Sequence, residues 1–264
     1  MDQQDKTSGT SKHGFNRRGF LGAAGAAAAF ASSTTWTSRS YGKIVGANER
    51  IRHALIGPGM GIGLAHITAL AALQDKDNLE PVAVADCWKR RAAAAANILA
   101  NGPQGNPSKY EVKPYTDYRK ILDTKDLNYV TIGTPEHWHS RMTMEAMDAG
   151  LAVYCEKPMT HSIPEGIAVW KKQQATGRPL QVGVQGMSDD SYESAAKAIE
   201  DGVLGQVVQA QIEYVRRYGA QGPWRNPDLV EKNETKPADL NWSNWLGHAP
   251  KIDWNPHHYF EWRN

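Results

Sequence analysis

From Arg52 to Gln185, short apolar runs alternate with helical patterns, and that alternation restricts the chain to one class of architecture. The strand-like runs are Arg52–Gly57, Pro81–Cys87, Asn128–Thr134, Ala152–Lys157 and Leu180–Gln185. Between them, helices are predicted over Ile62–Leu73, Lys89–Leu99, His137–Ala149 and Ile163–Thr176, with a shorter one near Tyr118–Leu122. Strands separated by helices of roughly 10–15 residues read as right-handed crossovers, not hairpins, and build a parallel sheet covered on both faces. The expected class is α/β, doubly wound, over residues 50–187. No repeat of roughly 20–50 residues competes with that reading.

Composition narrows the partners. The 264 residues are 41% hydrophobic and 22% charged, with a net charge of +2, so no large field of one sign points to nucleic acid or an anionic membrane. No window reaches the ~18 consecutive apolar residues of a membrane-spanning helix. The two cysteines, Cys87 and Cys155, each end a predicted strand and are expected as free thiols, since two residues make neither a disulfide framework nor a metal cluster.

The N-terminus reads as a leader. A polar stretch is followed by Asn16-Arg17-Arg18-Gly19-Phe20-Leu21 and the Ala/Gly-rich run Gly22–Ala31. Paired arginines before a weakly apolar segment match a twin-arginine export signal, with a small-x-small site at Ala29-Phe30-Ala31. Residues 1–45 are therefore expected to be signal and linker, and the protein to be periplasmic.

Chemistry is expected where the strands end. The first strand runs into Gly57-Pro58-Gly59-Met60-Gly61-Ile62-Gly63. Gly57, Gly59, Met60 and Gly61 form a loop that can approach a pyrophosphate at the positive N-terminus of the next helix. The usual G-x-G-x-x-G spacing would need glycine at 62, where the chain has Ile. The second strand ends at Asp86, placed to accept from an adenosine ribose, which favours NAD; Lys89, Arg90 and Arg91 follow and leave NADP open. The run to Thr134-Pro135-Glu136-His137-Trp138-His139 starts a helix, with Pro suited to a first turn. His137 and His139 do not face one another at i and i+2, and no further ligand type clusters with them, so cofactor or substrate contact is expected and metal is not. The strand Ala152–Lys157 ends in Glu156-Lys157-Pro158. A lysine there is either a surface residue stopped by proline or, partly desolvated, a group fit to exchange a proton with a substrate hydroxyl.

Taken together, Gly57–Gly63, Asp86, Thr134-Pro135-x-x-x-His139 and Glu156-Lys157-Pro158 resemble the glucose–fructose oxidoreductase/inositol dehydrogenase (Gfo/Idh/MocA) family. The resemblance implies an N-terminal Rossmann domain binding NAD, or NADP, followed by an α/β substrate domain with a mostly antiparallel sheet. It also implies cofactor contacts from Thr134, Pro135, His139, Glu156 and Gln185, and a catalytic Lys157 beside the nicotinamide and the reacting hydroxyl. An Asp and a His would come from a segment downstream of Trp254–Asn264, so residues 188–264 are expected to be an incomplete substrate and oligomerisation domain of a homo-oligomer.

Beyond Gln185, Ser191–Asp201 is predicted as a helix and Gly205–Arg217 as a long strand. Five of the nine tryptophans (Trp224, Trp242, Trp245, Trp254 and Trp262) then follow, suited either to stacking on sugar faces or to packing a long loop onto the domain. The expected activity is NAD(P)-dependent oxidation of a sugar, polyol or related hydroxy compound. The alternatives are a glycosidase of the same build, working by oxidation and elimination, and a non-catalytic sugar- or cofactor-binding protein.

Overall fold

The structure, a computed structural model, describes residues 50–102, 110–215, 217 and 223–263; the expected leader lies outside them. Six strands form one parallel sheet: β1 Ile51–Ile56, β2 Leu79–Ala85, β3 Lys113–Tyr115, β4 Tyr129–Ile132, β5 Ala152–Glu156 and β6 Leu180–Gly183. Their spatial order is β3-β2-β1-β4-β5-β6, so the direction of winding reverses between β1 and β4. Crossover helices are α1 Ile62–Leu73, α2 Lys89–Asn101, α3 Arg119–Leu122, α4 His139–Asp148 and α5 Ile163–Thr176. Then come α6 Asp190–Glu200 and three short helices, α7 Pro227–Glu231, α8 Trp242–Leu246 and α9 Pro256–Phe260.

Strand alternation sorts the core into two layers. Leu55 and Val84 point to the face covered by α1 and α2, where they meet Ile67, Leu70, Ala95 and Leu99. Their neighbours Ala54, Ile56, Ala83 and Ala85 point the other way, onto Ile121 of α3, Met142 and Met147 of α4 and Val169 of α5. Both faces are covered, which is why the strands read as continuous apolar runs. Helix ends follow local chemistry. Ser162 caps α5 by accepting from the Glu165 amide, Glu165 returns the bond to the His161 amide, and Gly177 ends the helix in the left-handed region.

Two expectations about elements change. The three-residue β3 carries too short a pattern to be seen in the sequence; it is held by pairing with Ala83–Ala85. The long strand expected over Gly205–Arg217 does not form: residues 205–215 and 217 are exposed and outside any strand. Alternation makes a strand only where a neighbouring strand takes its backbone groups, and no strand pairing among the described residues includes this stretch.

The aromatic tail takes the packing role. Trp242, Trp245 and Leu246 of α8 and Tyr259 and Phe260 of α9 bury themselves with Trp88, which stands between β2 and α2. Trp88 also pairs its backbone with Leu240 and donates its indole N–H to Asp239 at 2.9 Å. This cluster ties a segment ~150 positions downstream to the end of β2.

Among the described residues, His53 and Thr143 carry buried side-chain polar atoms with no hydrogen-bond partner, and His53 is the titratable one. His53 on β1 is fully buried, stacks on its cross-strand neighbour Tyr129 at 5.5 Å, and finds no hydrogen-bond partner for either ring nitrogen. Desolvation lowers its pKa from 6.5 to about 4. The unfolded chain therefore takes up this proton before the folded one, and stability falls as pH drops from 6.5 towards 4. The loss amounts to about 3 kcal/mol at full titration. His53→Phe, which keeps the stack on Tyr129, is expected to raise the denaturation midpoint at pH 7 and to flatten the midpoint-versus-pH curve between pH 4 and 6.5. Unfolding in denaturant across that range measures both; an unchanged curve would mean that His53 is partnered or solvated.

Candidate functional site

The carboxyl ends of β1, β2, β4 and β5 open on a cleft of about 1200 Å³, lined by the glycine loop and Asp86 and by tail residues that include Ile212, Trp224, Tyr259 and Arg263. Its floor is a close backbone contact. Gly57 (φ +77°) and Gly59 (φ +51°) adopt the left-handed region that glycine enters without strain. A Cβ on Gly63 would lie 2.2 Å from the Gly57 carbonyl oxygen, and one on Gly57 would lie 2.5 Å from the Thr134 methyl. Gly61, in contrast, would meet nothing within 4 Å. The working spacing is therefore Gly57-x-Gly59-x-x-x-Gly63. Gly63, one position beyond the glycine that the usual spacing demands, thus belongs to the loop.

This approach sets the N-terminus of α1 at the cleft. No side chain caps it and its first turn carries no acidic residue, so its free N–H groups and positive dipole end can take an anion. Beside it, Asp86 is buried, its Oδ2 accepting from the Gly59 amide at 3.0 Å and its Oδ1 from the Trp88 amide at 2.8 Å. Burial pushes its carboxyl above the ordinary range, and the Trp88 amide, the Arg91 charge and the Gly59 amide pull it back in part. A glycine cradle, an uncapped helix start and a carboxylate at the β2 end together fit a dinucleotide: pyrophosphate at the loop, ribose hydroxyls at Asp86.

At the other end, Lys157 and Glu156 line the cleft with Thr134, Pro135 and Gln185. Glu156 is buried, with Oε1 2.7 Å from His66 Nε2 on α1 and Oε2 accepting from the Lys157 amide at 3.2 Å. It thus braces the backbone that carries Lys157. His66 has no signal in the sequence that would have found it. The Lys157 side chain is exposed, so the partial desolvation expected of it is not present in this structure.

His139 is placed otherwise than expected. It is buried and does not line the cleft; Nδ1 lies 2.7 Å from the Pro158 carbonyl oxygen and Nε2 2.7 Å from that of Thr134. It ties the ends of β4 and β5 together from behind, and bears on the cleft only through the backbone it braces at Thr134 and Pro158. His137 is likewise engaged, its Nε2 2.8 Å from the Trp245 carbonyl, and desolvation lowers its pKa. Glu136 accepts from the Trp262 indole and the Arg263 guanidinium, both at 2.9 Å, which fastens the tail to the β4 end. Met60 reaches the cleft edge, where Arg91 Nη2 approaches its sulfur at 2.8 Å.

Comparison with known proteins matches this geometry. A profile of the oxidoreductase family with an NAD-binding Rossmann fold, Gfo/Idh/MocA, covers residues 51–184. An inositol 2-dehydrogenase of Salmonella typhimurium is 28% identical over 199 residues, 74% of this chain and 54% of that protein. A glycosyl hydrolase family 109 protein of Stenotrophomonas maltophilia is 28% identical, over 75% of this chain and 42% of its own length. Among solved structures, a levoglucosan dehydrogenase in complex with NADH is 26% identical with a TM-score of 0.52, covering 60% of this chain and 41% of that one. The chain spans about half the length of the curated relatives it matches.

Because a Cβ at 63 runs into backbone and one at 61 into open space, Gly63→Ala is expected to weaken NAD binding at least tenfold more than Gly61→Ala does. Titration of both variants with NAD decides this; equal effects would remove the assigned spacing.

Proposed function

Since the chain belongs to the Gfo/Idh/MocA oxidoreductases, whose NAD-binding Rossmann fold its residues 51–184 match, we propose that the whole protein oxidises a hydroxyl of a sugar, polyol or related compound with NAD. The observation that carries this reading is Lys157 at the β5 end, facing the same cleft as the glycine loop and Asp86. When bound, the nicotinamide supplies the hydride acceptor. The residues of this chain supply the rest. Lys157 Nζ takes the proton released from the substrate hydroxyl as the adjacent C–H bond is broken, and returns it in the reverse direction. Glu156 and His66 fix the backbone of Lys157, while Gly57, Gly59, Gly63 and the α1 N-terminus hold the pyrophosphate and Asp86 the ribose. Gln185, Thr134 and Pro135 close the opposite wall.

The substrate class rests on the relatives, an inositol 2-dehydrogenase and a levoglucosan dehydrogenase. Residues 50–187 form the cofactor domain in this reading, and a second, substrate-binding domain begins at residue 188. Net formation of NADH distinguishes the reaction from bond cleavage without net redox, the chemistry suggested by similarity to the family 109 glycosyl hydrolase. Lys157→Met is expected to lower turnover by ~10²–10⁴-fold while NAD affinity changes far less, because the cofactor is held through its pyrophosphate and ribose. Absorbance of NADH and a binding titration measure the two; equal losses would make Lys157 structural.

Export by the twin-arginine route belongs to the same proposal, supported by Arg17-Arg18 ahead of the Gly22–Ala31 run. The double change Arg17→Lys, Arg18→Lys should leave active protein in the cytoplasm. Undiminished periplasmic protein after fractionation would remove this part of the reading.

A further inference from the structure

NAD and NADP differ by a phosphate on the adenosine 2′-oxygen, and a protein that accepts it supplies cationic donors there. Three cations follow Asp86, and the fold treats them differently. Lys89 and Arg90 are exposed and do not line the cleft; Arg90 stacks over Trp88 at 4.3 Å and pairs with Asp239 at 3.5 Å. Arg91 does line it. Its guanidinium lies 4.2 Å from the centre of the Trp88 ring, Nη1 donates to Tyr259 Oη at 3.0 Å, and Nη2 lies 2.8 Å from the Met60 sulfur. The other arginines of the cleft are paired as well, Arg119 with Asp117 at 3.2 Å and Arg263 with Glu136 at 2.9 Å.

Of these restraints on Arg91, the hydroxyl of Tyr259 is the directional one. Tyr259 is itself immobile: 5% exposed, with its ring against Trp88 at 5.7 Å, Phe260 at 4.8 Å and Trp245 at 5.4 Å. It cannot follow the guanidinium if that group turns towards a ligand.

We infer that Tyr259 is a positioning residue for cofactor preference. By holding Arg91 on the Trp88 ring it keeps the guanidinium from turning to a 2′-phosphate and leaves the Asp86 carboxylate as the group that meets the 2′ position, which admits a hydroxyl and repels a phosphate. The inference rests on the cofactor reading above and adds the residue that fixes its 2′ selectivity. That residue comes from the far end of the chain, where no β2-end motif would direct attention.

The test is titration of the protein with NAD and with NADP, followed by tryptophan fluorescence, for the parent, Tyr259→Phe, and Tyr259→Phe combined with Arg91→Ala. The parent prefers NAD. Tyr259→Phe keeps the ring and frees the guanidinium, so the ratio of NADP to NAD dissociation constants falls about tenfold, the weight of one charge-assisted hydrogen bond. Removing Arg91 in that background restores the parent ratio. A ratio that does not move in Tyr259→Phe with a native circular dichroism spectrum would overturn the inference, and so would a fall that persists without Arg91. Arg91→Lys, which leaves the aromatic cluster whole and replaces the fork by one mobile ammonium, is the second route: it too lowers the ratio, and no change there is equally fatal. A parent that prefers NADP overturns the inference but leaves the cofactor cleft standing, whereas a parent that binds neither nucleotide overturns the cofactor reading itself.

Discussion

The site depends on one backbone contact, where the carbonyl of Gly57 meets the first turn of α1 at Gly63. A Cβ on Gly63 would sit 2.2 Å from that oxygen, and one on Gly133 would sit 3.2 Å from it. Only glycine lets loop, helix and β4 end converge so closely, and the convergence aims the uncapped start of α1 along the carboxyl edge of the sheet. The Gly57 amide bonds to Ala85 and the Gly133 amide to Ile56, so the same knot laces β1 to both its neighbours at the point where the winding reverses. The cleft lies there because this is where two adjacent strands send their connections to opposite faces.

The second anchor is polar and hidden. Glu156 joins α1 to β5 through His66, and His139 joins β4 to β5 through the carbonyls of Thr134 and Pro158. Between them they fix the backbone on both sides of Lys157 while its side chain stays exposed in the cleft. A flexible side chain on a rigid base is what the proton transfer proposed for Lys157 calls for. It also explains why an invisible partner such as His66 matters as much to the site as the residues that line it.

The tail contributes a third layer. Trp242, Trp245, Trp254 and Tyr259 use their apolar bodies to pack with Trp88, and polar edges bond the backbone, as with Trp242 to Ile252 and Trp254 to Asn233, whereas Trp224 and Trp262 stay exposed. Glu261, nearly buried, holds the turn at 225–226; the Asn226 amide, His257 and Arg225 lower its pKa to about 2. The segment therefore walls the cleft through its own rigid packing.

The order of strands and helices was legible in the sequence because the parallel sheet is buried on both faces, which forces apolar runs at one period and helical patterns at another. The glycine loop, Asp86 and Lys157 were legible for a related reason: each ends a predicted strand, and strand ends converge in this class of fold. What the sequence left undecided was every choice made between distant segments. Gly63 and not Gly61 closes the knot because the turn of the loop brings the Gly57 and Pro58 carbonyls against one and leaves open space beside the other. His139 turns inward because two carbonyls from different strands flank it, although it stands in a motif that reads as a ligand contact. The stretch 205–217 has the alternation of a strand and no described neighbour to pair with. Tyr259 and Arg91, 168 positions apart, meet only because Trp88 gives the aromatic tail a surface on which to fold. Local pattern marks the strands and helices of the doubly covered sheet; whether an alternating stretch finds a neighbour, and which side chains share a site, is decided by tertiary packing, since contact across the fold carries no period along the chain.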